Sequence, residues 1–390
     1  MLIKELALRQ FRNYKQLKLT PHPGVNLLFG QNGAGKTNLI EGIHYCALGR
    51  SHRTSQDREV VQKGQAFAVC EVKVQKGGVT EEISVRLTPD EARKKQVFIG
   101  KKRAARLSEL MGLLQCVVFS PEDLELVKGG PGERRRFADM LISQLSPAYF
   151  LSLQQYQRAL EQRNALLREC RRESDISKGV FEAFEMKMAE ALAVIVPKRR
   201  LILSRLNELA AEKYRNISGK DSEAFQALYQ CCLREDGNIA EAAAERWKNA
   251  RGEDVFRAST GFGCHREEIR LTLNGREMKT FASQGQMRTA ALSLKMAQLA
   301  LYEEKTGEMP VLLLDDVMSE LDMNRRTQLL RELKNVQTFV TCTDESDLQG
   351  CENRRVYQVA AGEDACAAVT ETSEGEAAAE TDGEKDPIFL

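Results

Sequence analysis

No apolar run in the 390-residue sequence approaches the roughly 18 residues that a bilayer span requires; Ala191–Val196 is among the longest. The first residues, Met1-Leu2-Ile3-Lys4-Glu5, lack the charged-then-apolar pattern of an export signal. Membrane insertion and secretion are therefore not expected, and the chain reads as cytoplasmic. None of the ten cysteines forms a C-x-x-C pair, and the close pair is Cys231-Cys232. Reduced, buried thiols are the expectation. The four histidines, His22, His44, His52 and His265, have no metal-ligand spacing, so no structural metal site is expected. There is also no internal repeat, zinc finger or helix-turn-helix, and no interleaving of aromatic and basic residues of the kind that stacks bases.

What is present is ample for a packed core. Apolar residues make up 42% and charged residues 29%, and the length suits two or three domains at roughly 100–200 residues each. The net charge of +1 hides an asymmetry. Residues 361–390 carry nine acids and one base, a net −8, which leaves +9 on residues 1–360. A basic body with an acidic tail points to an anionic partner, or to nothing more than a solvated basic surface.

Alternating and fully apolar segments predict strands at 2–8, 17–19, 25–29, 97–99, 269–273, 311–314 and 337–341, and a hairpin from 66–75 and 80–87. Helices are predicted from Lys36 to Leu48 and from Gln284 to Thr306. Residues 121–250 read as helical, with long amphipathic helices over 148–171 and 181–214 packing as an antiparallel pair and a kink expected at Pro197. Continuous apolar strands separated by helices imply an α/β fold whose mixed, largely parallel sheet is covered on both faces. The expected division is an α/β lobe from 1–120 and 285–360, a mainly helical lobe over 121–284, and an acidic disordered tail over 361–390.

The strongest motif is Gly30-Gln31-Asn32-Gly33-Ala34-Gly35-Lys36-Thr37, which fits G-x-x-x-x-G-K-[ST] without mismatch between a strand and a helix. Glycines let successive backbone N–H groups face one concavity, and the helix N-terminus adds about half a positive charge. Lys36 would neutralise the β- and γ-phosphates of ATP, and the Thr37 hydroxyl would ligate Mg2+. Val311-Leu312-Leu313-Leu314-Asp315-Asp316 is an apolar strand ending in two carboxylates. In a parallel sheet it delivers them beside the phosphate loop. Asp315 would hold Mg2+ through water, and Asp316 would orient or deprotonate the attacking water.

Ser283-Gln284-Gly285-Gln286 opens the 284–306 helix, and Ser319-Glu320-Leu321-Asp322 follows the double acid. The first has capping-box form, a purely local job, yet its glycine and helix N-terminus also suit a γ-phosphate. The order of phosphate loop, helical insert, S-x-G-Q, double acid and S-x-L-D resembles the heads of ABC-type ATPases, including SMC and Rad50 proteins. The RecF family is the closer match. It is carried by Phe11-Arg12-Asn13-Tyr14, Phe119-Ser120-Pro121-Glu122-Asp123-Leu124, Arg134-Arg135-Arg136-Phe137, the 156–167 segment with Tyr156, Leu160, Arg163 and Asn164, and Gly263-Cys264-His265-Arg266-Glu267-Glu268.

This resemblance implies an ATP-dependent homodimer in which Ser283, Gly285 and Gln286 of one copy contact the nucleotide of the other, with Arg12 and Thr343 (or Thr341) joining the nucleotide set. It implies weak, DNA-stimulated hydrolysis, double-stranded DNA binding, recombinational repair, and recombinase loading with RecR and RecO. Two departures stand out: Cys264 replaces a proline of the family's G-P-H-R-D-D, and Asp316 stands where transporters carry Glu. Both this shorter carboxylate and Thr341-Cys342-Thr343 in place of a switch histidine imply slow turnover. Phosphate-contacting candidates are Lys94-Lys95, Lys101-Lys102-Arg103, Arg134-Arg135-Arg136, Arg171-Arg172 and Lys198-Arg199-Arg200, each equally readable as a solvated face or an ion pair. The apolar tip with Ile388 and Phe389 is either a plain tail end or a docking motif for the replication sliding clamp. An SMC- or Rad50-like architectural ATPase is the alternative; its long arms are missing, since helices of these lengths reach little beyond about 50 Å.

Overall fold

A computed structural model describes residues 1–90, 94–170, 178–233, 237–318, 325–326, 329, 336–343, 353–361 and 366–372. The chain opens with an antiparallel ribbon of β1 (Leu2–Phe11) and β2 (Tyr14–Leu19), then crosses the molecule as β3 (Val25–Phe29) and enters α1 (Lys36–Leu48) through the glycine-rich loop. β4 (Ala68–Lys76), β5 (Val79–Leu87), β6 (Lys95–Ile99) and β7 (Lys102–Arg103) complete a six-stranded sheet in the order β2-β1-β4-β5-β6-β7. Period-two alternation builds it: in β4, Ala68, Cys70, Val72 and Val74 are buried and the residues between them are not.

β8 (Cys116–Phe119) leads into the helical region of α2 (Glu125–Lys128), α3 (Pro131–Leu145), α4 (Pro147–Cys170), α5 (Lys178–Ser218) and α6 (Ile239–Arg257). A three-stranded sheet interrupts it, with β10 (Glu268–Leu273) between β9 (Phe225–Gln230) and β11 (Arg276–Glu277). A short α7 (Met278–Phe281) precedes α8 (Gln284–Thr306), which ends on Gly307 in the left-handed conformation that a C-terminal glycine adopts without a Cβ penalty. Helices α4 and α5 run antiparallel, as Tyr149 meets Arg199 at one end and Arg163 meets Glu185 at the other. α5 is one continuous helix of 41 residues through Pro197. Its length is about 60 Å at roughly 1.5 Å per residue, longer than the 181–214 pattern implied.

The central sheet follows from β12 (Val311–Asp315) and β13 (Thr338–Cys342), all ten of whose residues are buried, together with β14 (Arg354–Ala361) and β15 (Ala367–Thr372). Its order is β15-β14-β3-β13-β12-β8, parallel throughout except for the β14–β15 pair. Alternate residues feed two cores. Leu27, Leu312, Leu314 and Val340 face the helical lobe. Leu28, Val311, Leu313 and Phe339 face α1 and the antiparallel sheet. The α/β architecture with a mixed, largely parallel sheet covered on both sides is thus the observed one.

Two expectations are corrected. The unfolded tail does not begin at 361: Ala367–Thr372 pairs with β14 from Val356↔Thr372 to Ala361↔Ala367. The helical region also contains β9, whose Phe225 and Ala227 point inward on a period of two. Ser319–Asp322, Arg171-Arg172, Ile388 and Phe389 lie outside the described residues. Among the described residues no helix is long and apolar enough to cross a membrane.

Candidate functional site

The glycine-rich loop bends because its backbone must enter the left-handed region. Gly33 has φ +82° and Gly35 φ +120°, and a Cβ on Gly35 would lie 2.8 Å from the Asn13 side chain. Gly30 is closed off similarly, with the Val359 carbonyl 2.1 Å from where its Cβ would stand. The turn between β1 and β2 holds the loop from outside. Asn13 Nδ2 donates to the Ala34 carbonyl (2.9 Å), and the Tyr14 hydroxyl donates to the Gly35 carbonyl (3.1 Å). Gln31, Asn32 and Gly33 remain exposed at its tip.

Lys36 is buried, and its Nζ donates to the Gly30 and Gln31 carbonyls (2.5 and 3.0 Å). Burial pushes its pKa below the ordinary lysine value, against the pull of Cys342, Asp316 and Asp315 nearby. Thr37 Oγ1 donates to Asp315 Oδ1 (2.8 Å), so the loop threonine and the strand-end acid meet across 278 residues of chain. Thr341, one strand over, donates to the same oxygen (2.8 Å) and accepts the Asp316 backbone N–H (2.9 Å). Asp316 then turns out of the strand at φ +53° with its side chain exposed, a conformation Asp tolerates better than most residues. Lys36, Thr37, Asp315, Asp316 and Thr341 therefore converge, and Thr343 is exposed just beyond β13.

The structure places Arg12 at φ +53°, where its guanidinium forks onto both oxygens of Glu41 in α1 (2.8 and 2.7 Å) and onto the Glu59 carbonyl (2.7 Å). Burial raises the Glu41 pKa, but hydrogen bonds from Arg12 and Ser51 outweigh it and hold the carboxyl below its ordinary value. Beside this pair, both ring nitrogens of His52 are buried without a hydrogen-bond partner. His52 lines a cavity of about 580 Å³ with His44, Arg53, Glu122, Arg136 and Lys295.

The S-x-G-Q turn has different neighbours. Ser283 Oγ accepts from the Gln286 N–H (3.3 Å) while Gln286 Oε1 accepts from the Ser283 N–H (2.8 Å), a complete capping box. Gln286 Nε2 also donates to Glu223 (3.0 Å). Arg325 braces the first turn from below, through the Gly285 carbonyl (2.8 Å) and the Thr289 hydroxyl. Ser283 and Gln284 are exposed, and Phe281 next to them is 67% exposed.

The basic clusters divide sharply. Lys101, Lys102 and Arg103 are exposed on the edge of the antiparallel sheet, and Arg136 and Lys94 are exposed as well. Arg134 and Arg199 are buried in ion pairs with Glu268 and with Asp139 and Glu267, so neither reaches the surface. Lys95 is tied to Asp57 (3.1 Å). Sequence reasoning missed Glu41 and Arg325, and it gave no site role to Asn13, although the 11–14 motif contains it, or to His52. A lone polar residue in a turn or helix does not declare its role by pattern alone.

The site has the form of a phosphate cradle with a hard-cation donor pair. Glycines at positions a Cβ would fill, a lysine at the loop and a Thr–Asp oxygen pair fit a magnesium–triphosphate ligand. Comparison with known proteins agrees with that shape. A sequence profile of the RecF/RecN/SMC N terminal domain matches residues 2–367. The chain is 40% identical over 371 residues to the DNA replication and repair protein RecF of Alkaliphilus oremlandii, covering 93% of this chain and 100% of that one. It is 37% identical over 369 residues to the protein of the same name in Clostridium perfringens strain SM101, at 94% and 100% coverage. Among solved structures it is similar to the recombination mediator protein RecF-ATP of the RecFOR pathway, with TM-score 0.85, 34% identity, and 95% and 97% of the two chains covered. An Smc head domain from Pyrococcus furiosus shares the fold at TM-score 0.54 and 16% identity.

Proposed function

The chain belongs to the RecF family, and from that premise we propose that it is a nucleotide-switched DNA-binding ATPase acting in DNA replication and repair. ATP is the ligand of the glycine-rich loop. The backbone N–H groups of Gly30, Gln31, Asn32, Gly33, Ala34 and Gly35 would hold its phosphates, and Lys36 would neutralise them. Thr37 and Asp315 would hold Mg2+, which would supply charge neutralisation at the phosphates. Asp316 orients the attacking water as its general base. Arg12 supports the site indirectly by fixing Glu41 and thereby the first turns of α1.

The single observation that carries this reading is the Thr37–Asp315 contact at 2.8 Å, which puts the cation-binding hydroxyl and carboxylate together at the open end of the parallel sheet. The exposed S-x-G-Q turn supports the second half: Ser283, Gly285 and Gln286 of one copy complete the nucleotide site of another, with exposed Phe281 as an apolar anchor beside them. Thr343 reaches the same γ-phosphate from its own copy. The closed dimer grips duplex DNA by sequence-independent phosphate contacts, for which Lys101, Lys102, Arg103 and Arg136 are accessible. Hydrolysis is slow and DNA-stimulated, as suits a switch. RecR and RecO are the partners in recombinase loading at gaps, and the Ile388–Phe389 tip is a contact for the sliding clamp. The site of action is the cytoplasm.

Sedimentation with and without ATP and duplex DNA tests this. Wild type forms ATP-dependent dimers, while Lys36→Ala and Ser283→Arg remain monomers. Ser283→Asn keeps the helix cap and separates loss of capping from loss of the interface. Normal dimerisation of Ser283→Arg overturns the cross-subunit role.

A further inference from the structure

At the end of β9, remote in sequence from the phosphate loop, two adjacent thiols converge on one carboxylate oxygen. Cys231 Sγ lies 3.4 Å and Cys232 Sγ 3.0 Å from Glu267 Oε1. All three potential donor atoms lie within 4.8 Å of one another. The other oxygen, Glu267 Oε2, is held by Arg199 Nη1 (2.6 Å) and by the Tyr229 hydroxyl (2.5 Å). That division fixes the carboxylate and directs Oε1, which also accepts the Cys232 backbone N–H (3.3 Å), at the sulfurs, the arrangement in which an outer partner orients a metal ligand.

We propose that Cys231, Cys232 and Glu267 form a binding site for a thiophilic divalent cation of the zinc class. Tetrahedral zinc with bonds of about 2.0–2.3 Å requires donor atoms roughly 3.5 Å apart. The two sulfur–oxygen spacings are already near that value, so the ligand set closes by small side-chain adjustments. Charge does not oppose the site: Arg199 is already paired with Asp139 and Glu267. A dication that displaces the two thiol protons adds no net charge, since two thiolates offset its two charges. The ordinary obstacle to burying a dication is thereby removed.

Cys231 and Cys232 are half-buried, which leaves a fourth position for water. Hard, oxygen-preferring Mg2+ is a poor match for two sulfurs, so this site is chemically distinct from the Thr37–Asp315 pair. A bound cation would staple the end of β9 to the 263–268 loop, which also takes Arg199 on the Cys264 carbonyl (2.8 Å).

The test uses the full chain, reduced, stripped with chelator and kept free of oxygen. Co2+ is titrated as an optical probe, and Zn2+ is then added. Wild type develops a thiolate-to-cobalt charge-transfer band at one equivalent, Zn2+ bleaches it, and Zn2+ raises the melting temperature. Cys231→Ser and Cys232→Ser each weaken Zn2+ binding at least tenfold, and the double variant shows no band. Cys170→Ser, at the end of α4, behaves as wild type. Circular dichroism verifies that each variant is folded. Absence of the band in wild type, or its persistence in the folded double variant, overturns the proposal. So does a Cys231–Cys232 disulfide, two hydrogen atoms lighter by mass, that persists under reducing conditions and excludes the cation.

Discussion

The helical lobe and the phosphate-loop pole both hold charged side chains at low exposure, yet they hold them differently. In the lobe, Arg163 is fully buried and every direction of its guanidinium is answered: Glu185 at 3.1 Å, Asp254 at 2.7 Å and Thr260 at 2.8 Å. Arg199 is met by Asp139, Glu267, Tyr149 and the Cys264 carbonyl. At the pole, Lys36 rests on two neutral backbone carbonyls and is attracted by Cys342, Asp316 and Asp315. Complete ion networks lock geometry. An incompletely neutralised cation is available to an incoming anion, so the lobe's charges are architectural and the pole's are receptive.

Replacing Arg163 with Met should break the lobe. It leaves the buried Asp254 without its cation and Glu185 with Arg251 alone, and is expected to cost about 3–5 kcal/mol of stability, read by urea denaturation. A loss below about 1 kcal/mol would mean the network is no tighter than a surface pair.

Acid should find the lobe next. Burial pushes the His265 pKa down to about 4, with its Nδ1 against the Tyr156 hydroxyl at 2.7 Å. Unfolded histidine takes a proton near pH 6.5 and the folded one does not until about 4. This contribution is therefore intact above pH 6.5 and is lost as pH falls from 6.5 to 4, by about 3 kcal/mol. His265→Gln should flatten the stability profile in that window.

The junction between the regions should respond less. Thr341→Val keeps the shape but removes the donor to Asp315 and the acceptor for the Asp316 N–H. A cost of about 1–3 kcal/mol is expected, with weakened Mg-ATP binding by calorimetry. The smallest effect on stability belongs to the pole itself. Lys36→Ala should change the unfolding free energy by no more than about 0.5 kcal/mol while abolishing Mg-ATP binding. A large destabilisation there would erase the contrast.

Sequence made the pole legible because its signals are local. The glycine-rich motif, the 36–48 and 284–306 helices and the apolar run into Asp315 each declare themselves within a dozen residues. Strands β8, β9, β14 and β15 escaped for the opposite reason. β14 begins Arg354-Arg355, and β15 is built on Ala367-Ala368; only partners far along the chain make either a strand. The lobe's charges misled in a different way. Arg134 and Arg199 sit in basic triplets that read as a surface, and nothing within the triplets reveals that acids at 139, 267 and 268 draw two of them inside. The Tyr156, Arg163, Asn164 and 263–268 motifs resolve likewise: Gly263 passes where a Cβ would sit 2.0 Å from the Tyr156 oxygen.

The neighbours of β3 set a schedule for biosynthesis. This strand leaves the ribosome among the first thirty residues, yet β13 and β14, which flank it, arrive more than 300 residues later. At about 5–20 residues per second, the nascent loop waits some 15–60 seconds for its walls. A polypeptide cut short before residue 338 carries the entire glycine-rich motif but has nowhere to seat it, so incomplete translation products are poor competitors for nucleotide.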